Sequence, residues 1–302
     1  MSPENPRPTS SPLPLKEILD KAAVYLQQKN IADPRLNAER LLGAVLKLAR
    51  IELYTNFERP VVDSELRQFR ESLKRRAARE PLDYVIGWTE FYGLQLHTDP
   101  RALVPRPETE QLVESTLEIL GWGKAAPPGT RIIEIGTGCG AISITLAAQL
   151  PEARILATDI SSDSLELAAR NAELNHLRKR ITFLEGDLFQ PVDRSLIGAA
   201  NLIISNPPYV AEPEFQKLPP EIREYEPRNA LVGGVDGLEV IERLINQAPP
   251  FLAEGALLAL EIGHDQADRV RDLTAGNGAY GSMEIRKDYA GHDRMFFANK
   301  EG

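Results

Sequence analysis

From Thr130 to Ala298 the sequence alternates short apolar runs with amphipathic stretches, and that alternation leaves few folds open. Arg131–Ile135, Ile155–Thr158, Ile181–Glu185, Asn201–Ser205 and Ala256–Ile262 read as strands, with Met283–Lys287 and Met295–Ala298 after them. Ala141–Leu150, Ser164–Asn175, Leu238–Ala248 and Gln266–Leu273 read as helices between them. Strands separated by crossover helices imply an α/β fold: a mostly parallel sheet with helices on both faces. The last two strands are close in sequence, which predicts an antiparallel edge.

The preceding residues have a different texture. Leu15, Ile18, Leu19, Ala22 and Leu26 fall on one helix face. Pro34 fits the first turn of a second helix with Asp33 as its cap, and the pattern continues through Leu36, Arg40 and Leu41 to Leu48. A third helix starts near Asp63, with Leu66, Phe69 and Leu73 on one face. Residues 15–84 therefore predict a small helical bundle. Over 85–105, Trp88, Phe91, Tyr92, Leu94, Leu96 and Leu103 are interleaved with Gly87 and Gly93, which predicts a β-hairpin linker. Arg106-Pro-Glu-Thr-Glu110 then opens a helix running to Leu120, with acidic residues where the helix dipole favours them. The expected organisation is a disordered leader (1–14, rich in Pro and Ser, without the apolar core of a signal peptide), the bundle, the linker, and an α/β domain over 106–302.

Charge narrows the function. The net charge of −9 argues against a chain built mainly to grip nucleic acid. Residues 1–88 carry 15 Lys+Arg against 12 Asp+Glu, and the remainder 20 against 32, so the halves stand at +3 and −12. The positive excess is densest from Arg67 to Arg79, through Arg70, Lys74, Arg75 and Arg76. That stretch is either a solvated helix face or a docking surface for an acidic or RNA-associated partner. Cys139 is the only cysteine, so no internal disulfide is possible and a reducing cytoplasm is expected. No apolar run reaches the roughly 18 residues a membrane span needs.

Two constellations carry chemistry. Glu134-Ile-Gly-Thr-Gly-Cys-Gly140 follows the first strand of the α/β half and opens a helix. Gly136, Gly138 and Gly140 permit a sharp turn and close backbone approach to a ligand, and the helix from Ala141 offers free N–H groups to a ligand carboxylate. The spacing is Gly-x-Gly-x-Gly, and no Lys follows, so this is not a P-loop. Asp159 ends the second strand, where a carboxylate can accept from a ribose diol, or cap the Ser161–Asp163 turn. Asp187 follows the third strand and could accept from an adenine amino group, with Leu188 and Phe189 as apolar contacts. Together these predict an adenosine ligand.

Asn206-Pro207-Pro208-Tyr209 follows the fourth strand. An amide or arylamine nitrogen has a delocalised lone pair and is a poor nucleophile. A site that alkylates it must accept from its N–H groups and hold it flat. Asn206 offers a side-chain carbonyl and Pro207 a backbone carbonyl; two prolines fix φ, and Tyr209 can stack on the planar group. A methyl leaving a sulfonium needs no strong base, so catalysis would rest on positioning and electrostatics. The alternative is a plain Asn-Pro turn.

With these segments the chain resembles the HemK/PrmC-type peptide chain release factor glutamine methyltransferases. The resemblance rests on Gly87–Leu94, Val104–Glu110, the glycine loop, Asn206–Tyr209, Glu226-Pro227 with Gly233–Gly237, and Lys287–Arg294. It implies a Rossmann-like catalytic domain, S-adenosylmethionine as methyl donor, and a release factor as protein substrate. The glutamine of its Gly-Gly-Gln tripeptide would be methylated on the side-chain amide, the helical domain serving substrate recognition. Expected cofactor-binding residues are Glu134, Gly136, Thr137, Gly138, Cys139, Gly140, Asp159, Asp187, Leu188 and Asn206. Asn206, Pro207, Pro208 and Tyr209 would hold the substrate and carry catalysis. Where this chain has Leu188, some members carry Trp. Arg106, Glu108 and Glu110 either shape the site entrance or cap their helix.

Three rival readings stand beside this one. One is an adenine methyltransferase of nucleic acid using the same tetrapeptide on a flipped base, which the −12 half disfavours. Another is a glutamine methyltransferase of a ribosomal protein. The third is a non-catalytic partner-binding protein, against which the intact motifs argue. His97, His176, His264 and His292 lack metal-ligand spacing, so no metal is expected. Cys139 reads as a small apolar filler, and the segment Tyr225–Gly237 as a loop covering the substrate.

Overall fold

The computed structural model describes residues 13–122 and 126–302. The expected leader falls outside them, apart from Leu13 and Pro14. The chain divides into two compact units, one ending at Ile86 and one running from Gly87 to Gly302.

The first unit is helical: α1 (Leu15–Gln28), α2 (Pro34–Leu46), α3 (Arg50–Thr55), α4 (Asp63–Ala77) and α5 (Leu82–Ile86). The spacing read for α1 is the face it buries: Leu15, Ile18, Leu19, Ala22 and Leu26 pack with Leu41, Leu42, Leu53 and Phe69. Asp33 does not cap α2. It sits in the left-handed region at φ 46° and its side chain makes no capping bond. Asn37 instead folds back, donating to the carbonyls of Ala32 and Asp33. The short helices α3 and α5 have no counterpart in the sequence reading. Glu39 lies fully buried on α2 and accepts from Arg35 Nε, Arg50 Nε and the Tyr54 hydroxyl at 2.6–2.7 Å. Burial pushes its carboxyl up, but the three donors override this and hold it below the usual range.

The second unit opens with a hairpin, β1 (Trp88–Phe91) and β2 (Leu94–His97), turned at Tyr92-Gly93, both at positive φ. Then come α6 (Pro107–Ile119), β3 (Arg131–Ile135), α7 (Ala141–Gln149), β4 (Arg154–Asp159), α8 (Ser162–Leu174), β5 (Ile181–Glu185) and β6 (Ala200–Ser205). Two short helices follow, α9 (Glu212–Phe215) and α10 (Pro220–Arg223). The chain continues with α11 (Glu239–Gln247), β7 (Leu252–Glu261), α12 (Ala267–Asn277), β8 (Tyr280–Lys287) and β9 (Asp293–Lys300).

The sheet order is β5-β4-β3-β6-β7-β9-β8. The first five strands are parallel, and β9 runs antiparallel to both β7 and β8. Strands buried on both faces must be apolar on both. In β3, Ile132 joins the core on one side while Ile133 and Ile135 join the core on the other. From β3 the chain moves outward to β4 and β5, then returns to β6 on the opposite side. That reversal between β3 and β6 is a topological switch point, and ligands in open α/β sheets bind there, beyond the carboxyl ends of the strands.

Candidate active site

The loops leaving β3, β4 and β6 at the switch point line a cavity of about 610 Å³, within the range of small-molecule sites. One wall is the glycine loop. Gly136 and Thr137 N–H groups both donate to the Thr158 carbonyl, at 2.9 and 3.0 Å, pinning the loop to the end of β4. The three glycines share positive φ but do different jobs. A Cβ at Gly136 would meet no protein atom within 4 Å, so this backbone is open to a ligand. A Cβ at Gly140 would come within 2.9 Å of Ile144 and 3.1 Å of Ala168. Gly140 is glycine for the packing of α7, and it does not line the cavity.

Glu134 also stays out of the cavity. It is buried beneath the loop, accepting from the Thr137 hydroxyl at 2.7 Å, the Ser143 N–H at 3.1 Å and the Ser143 hydroxyl. It therefore consumes one of the α7 N–H groups that the sequence offered to a ligand. Desolvation raises its pKa to about 8, against the pull of those donors. Cys139 lines the cavity as a buried thiol, pushed up to about 12 by burial.

Asp159 lines the cavity between Gly138 and Ser161, accepting from their N–H groups at 2.8 and 2.9 Å. The α8 cap is Ser161, whose own hydroxyl accepts from Ser164 N. A carboxylate has about four lone-pair sites, so the Asp159 oxygens keep capacity for a diol. Asp187 and Leu188 line the same cavity, and Asp187 is paired with Arg243 Nη2 at 2.5 Å. Phe189 does not reach it. Its ring stacks on Phe251, centroids 4.9 Å apart, within the core of the sheet.

Asn206, Pro207 and Pro208 form the facing wall. Asn206 Nδ2 donates to Thr109 Oγ1 at 2.9 Å, and Thr109 Oγ1 donates to Glu261 Oε2 at 2.7 Å. Tyr209 lies behind this wall. Its hydroxyl donates to Glu261 Oε1 at 3.1 Å, and the Arg294 guanidinium stands 5.8 Å from its ring centre. Burial raises both Glu261 and Tyr209 above their ordinary pKa values. Arg294 also donates to the Ile262 carbonyl at 3.1 Å, next to Asp288. Thr109, Glu261 and Arg294 were not singled out in the sequence. Two of them sit inside motifs that were, Arg106–Glu110 and Lys287–Arg294.

The segment after Tyr209 folds back along the tetrapeptide. Val210 N donates to Leu231 O at 2.9 Å and Gly233 N to Val210 O at 3.0 Å. Gln266 Nε2 donates to the Tyr209 and Gly237 carbonyls at 2.9 and 3.2 Å. Arg106 grips Glu226 at 2.6 and 2.7 Å, tethering this segment to α6, while Pro227–Ala230 close one side of the cavity. Glu110 accepts from Tyr92 N at 2.5 Å and fastens the hairpin turn to α6. His264 and His292 meet at 5.9 Å, yet among the described residues no cluster of His, Cys, Asp and Glu could hold a metal ion. Among the described residues no helix is long and apolar enough to cross a membrane.

Comparison with known proteins agrees with this geometry. Residues 17–87 match the model of the PrmC N-terminal domain, and residues 120–218 that of the methyltransferase small domain. A release factor glutamine methyltransferase of Chlorobaculum tepidum is 40% identical over 92% of this chain and 94% of its own length. One of Rhodopirellula baltica is 36% identical over 96% of this chain and 97% of its own length. A solved methyltransferase of Pyrococcus furiosus shares the fold, with a TM-score of 0.53 at 22% identity over 76% of this chain and 99% of that one. The chain belongs to the release factor glutamine methyltransferase family.

Proposed function

We propose that this enzyme transfers a methyl group from S-adenosylmethionine to the side-chain amide nitrogen of a glutamine in a peptide chain release factor, that of its Gly-Gly-Gln tripeptide. The observation that carries the reading is one cavity with two different walls. Gly136 to Cys139 with Asp159 form a wall fit for a nucleoside and an amino-acid tail. Asn206 and the two prolines form a wall fit for a planar amide.

S-adenosylmethionine, when bound, supplies a methyl carbon on a cationic sulfonium. The open backbone at Gly136 and the spare lone pairs of Asp159 are the groups that would hold it. On the other wall, Asn206 Oδ1 and the Pro207 carbonyl accept from the two N–H groups of the acceptor amide. Two acceptors on one NH₂ fix the plane of that group and leave the face of its nitrogen toward the donor. Positioning of this kind is worth several orders of magnitude in rate without any base. The segment Tyr225–Gly237 excludes water from the donor side, held by Arg106 and Glu226. We assign substrate recognition to the helical unit, and the cytoplasm, where release factors work, as the location. The −12 charge of residues 89–302 supports a protein acceptor over a nucleic acid.

The test is transfer of radiolabelled methyl from S-adenosylmethionine to a purified release factor, beside a release factor with Gly-Gly-Ala and an Asn206→Ala enzyme. Label on the first pair alone, reduced about 100-fold or more by Asn206→Ala, is expected. Label on ribosomal protein or nucleic acid instead would overturn the substrate assignment.

A further inference from the structure

The hydrogen bonds behind Asn206 run in one direction only. Glu261 is 1% exposed and accepts from two hydroxyls, Thr109 on Oε2 at 2.7 Å and Tyr209 on Oε1 at 3.1 Å. A hydroxyl has one proton and two lone pairs. Thr109 spends its proton on Glu261, so toward Asn206 it can only accept. Asn206 must then offer Nδ2, as it does at 2.9 Å, which leaves Oδ1 as the amide atom for the cavity that Asn206 lines. An amide turned the other way would present N–H groups to an acceptor that is itself an NH₂, and donor would face donor.

We propose that Thr109 and Glu261 are positioning residues that set the polarity of the site, forcing Asn206 to present its carbonyl oxygen to the substrate nitrogen. The assignment rests on the amide-methylating reading above. It gives the Arg106–Glu110 segment a role beyond opening a helix. It also gives one to the C-terminal motif, since Arg294 acts electrostatically on this buried carboxylate and bonds to the Ile262 carbonyl beside it.

Three variants test it: Thr109→Val, which keeps the shape and removes the hydroxyl; Thr109→Ser, which restores it; and Glu261→Gln, which leaves one acceptor oxygen for two hydroxyl donors. Thr109→Val and Glu261→Gln are expected to lower kcat by about 100-fold, with KM for the release factor and calorimetric Kd for S-adenosylmethionine within about threefold of wild type. Thr109→Ser should recover kcat to within about threefold. A kcat for Thr109→Val near wild type, a Thr109→Ser as impaired as Thr109→Val, or a parallel loss of donor affinity would each overturn the assignment. A second readout needs no acceptor. The ¹⁵N-labelled side-chain amide of Asn206, identified by its absence in Asn206→Ala, should exchange with solvent about tenfold faster in Thr109→Val than in wild type. Unchanged exchange sinks the relay, whereas a wild-type enzyme that leaves the release factor unlabelled sinks the substrate reading alone.

Discussion

Gly233 shows how little room the site leaves at single positions. A Cβ there would lie 2.2 Å from the Pro208 carbonyl oxygen and 2.8 Å from that of Gly237. Gly233→Ala must displace the tetrapeptide or the loop that backs it. The expected result is a kcat about 100-fold lower, with donor affinity held within about threefold, measured by steady-state kinetics and calorimetry. Glu134 yields a pH prediction. Its folded pKa, about 8, lies above the value of an unfolded carboxyl, so the folded state holds the extra proton. Stability from this group is full below about pH 4.3 and is lost as pH rises through its folded pKa. The melting temperature of the catalytic unit should fall as pH rises from about 4.3 to about 8 and level off above that, and Glu134→Gln should flatten that slope. Asn206, Asp159, Gly136 and Gly138 line the cavity and can be picked out from the sequence because each sits in a loop at a strand end, whereas Gly140 serves the packing of α7. Thr109 and Glu261 cannot be picked out in this way. Thr109 lies 97 residues from Asn206 and 152 from Glu261, and no local pattern marks a hydroxyl whose partners are that distant. Glu261 reads only as a polar residue near the end of an apolar strand.

Among the elements, the parallel strands can be read to within a few residues, because burial of the central ones on both faces leaves mostly apolar runs; β5, at the sheet edge, is only partly buried. The helices α3 and α5, six and five residues long, span too few turns to show a period. The Asp33 cap failed because a cap needs extended backbone and Asp33 is left-handed. Proximity in sequence puts Phe189 against the ligand, but Leu188, at φ 51°, turns the chain, and Phe189 enters the core. Among the ties that hold the segment between β6 and α11, Arg106 grips a Glu226 side chain that is only 1% exposed. Removing Arg106 takes one ion pair away from a carboxylate that the protein buries. Arg106→Met is expected to raise KM for S-adenosylmethionine or release factor by about tenfold. Unchanged kinetics would show that the segment does not depend on this tether.

Across the whole molecule, each unit carries its own apolar core, and the helical one also carries a buried anion. Glu39 ionises more readily folded than unfolded, so its contribution is complete above about pH 4.3 and disappears as acid titrates it below that value. Glu39→Gln should lower the melting temperature of the helical unit by about 10 °C at pH 7, followed by circular dichroism, and less at pH 3. Donor affinity should be unaltered, since Glu39 has no part in the cavity.

The position of β9 between β7 and β8 has a consequence in time. During synthesis β7 emerges long before its antiparallel neighbour, and until residues 293–300 arrive its backbone edge is bare. The same late strand brings Arg294 to the end of β7, where Glu261 waits. A nascent chain therefore cannot acquire a finished acceptor site ahead of a finished sheet: ribosome-bound intermediates stopped before Asp293 should be catalytically silent and prone to pair edge to edge.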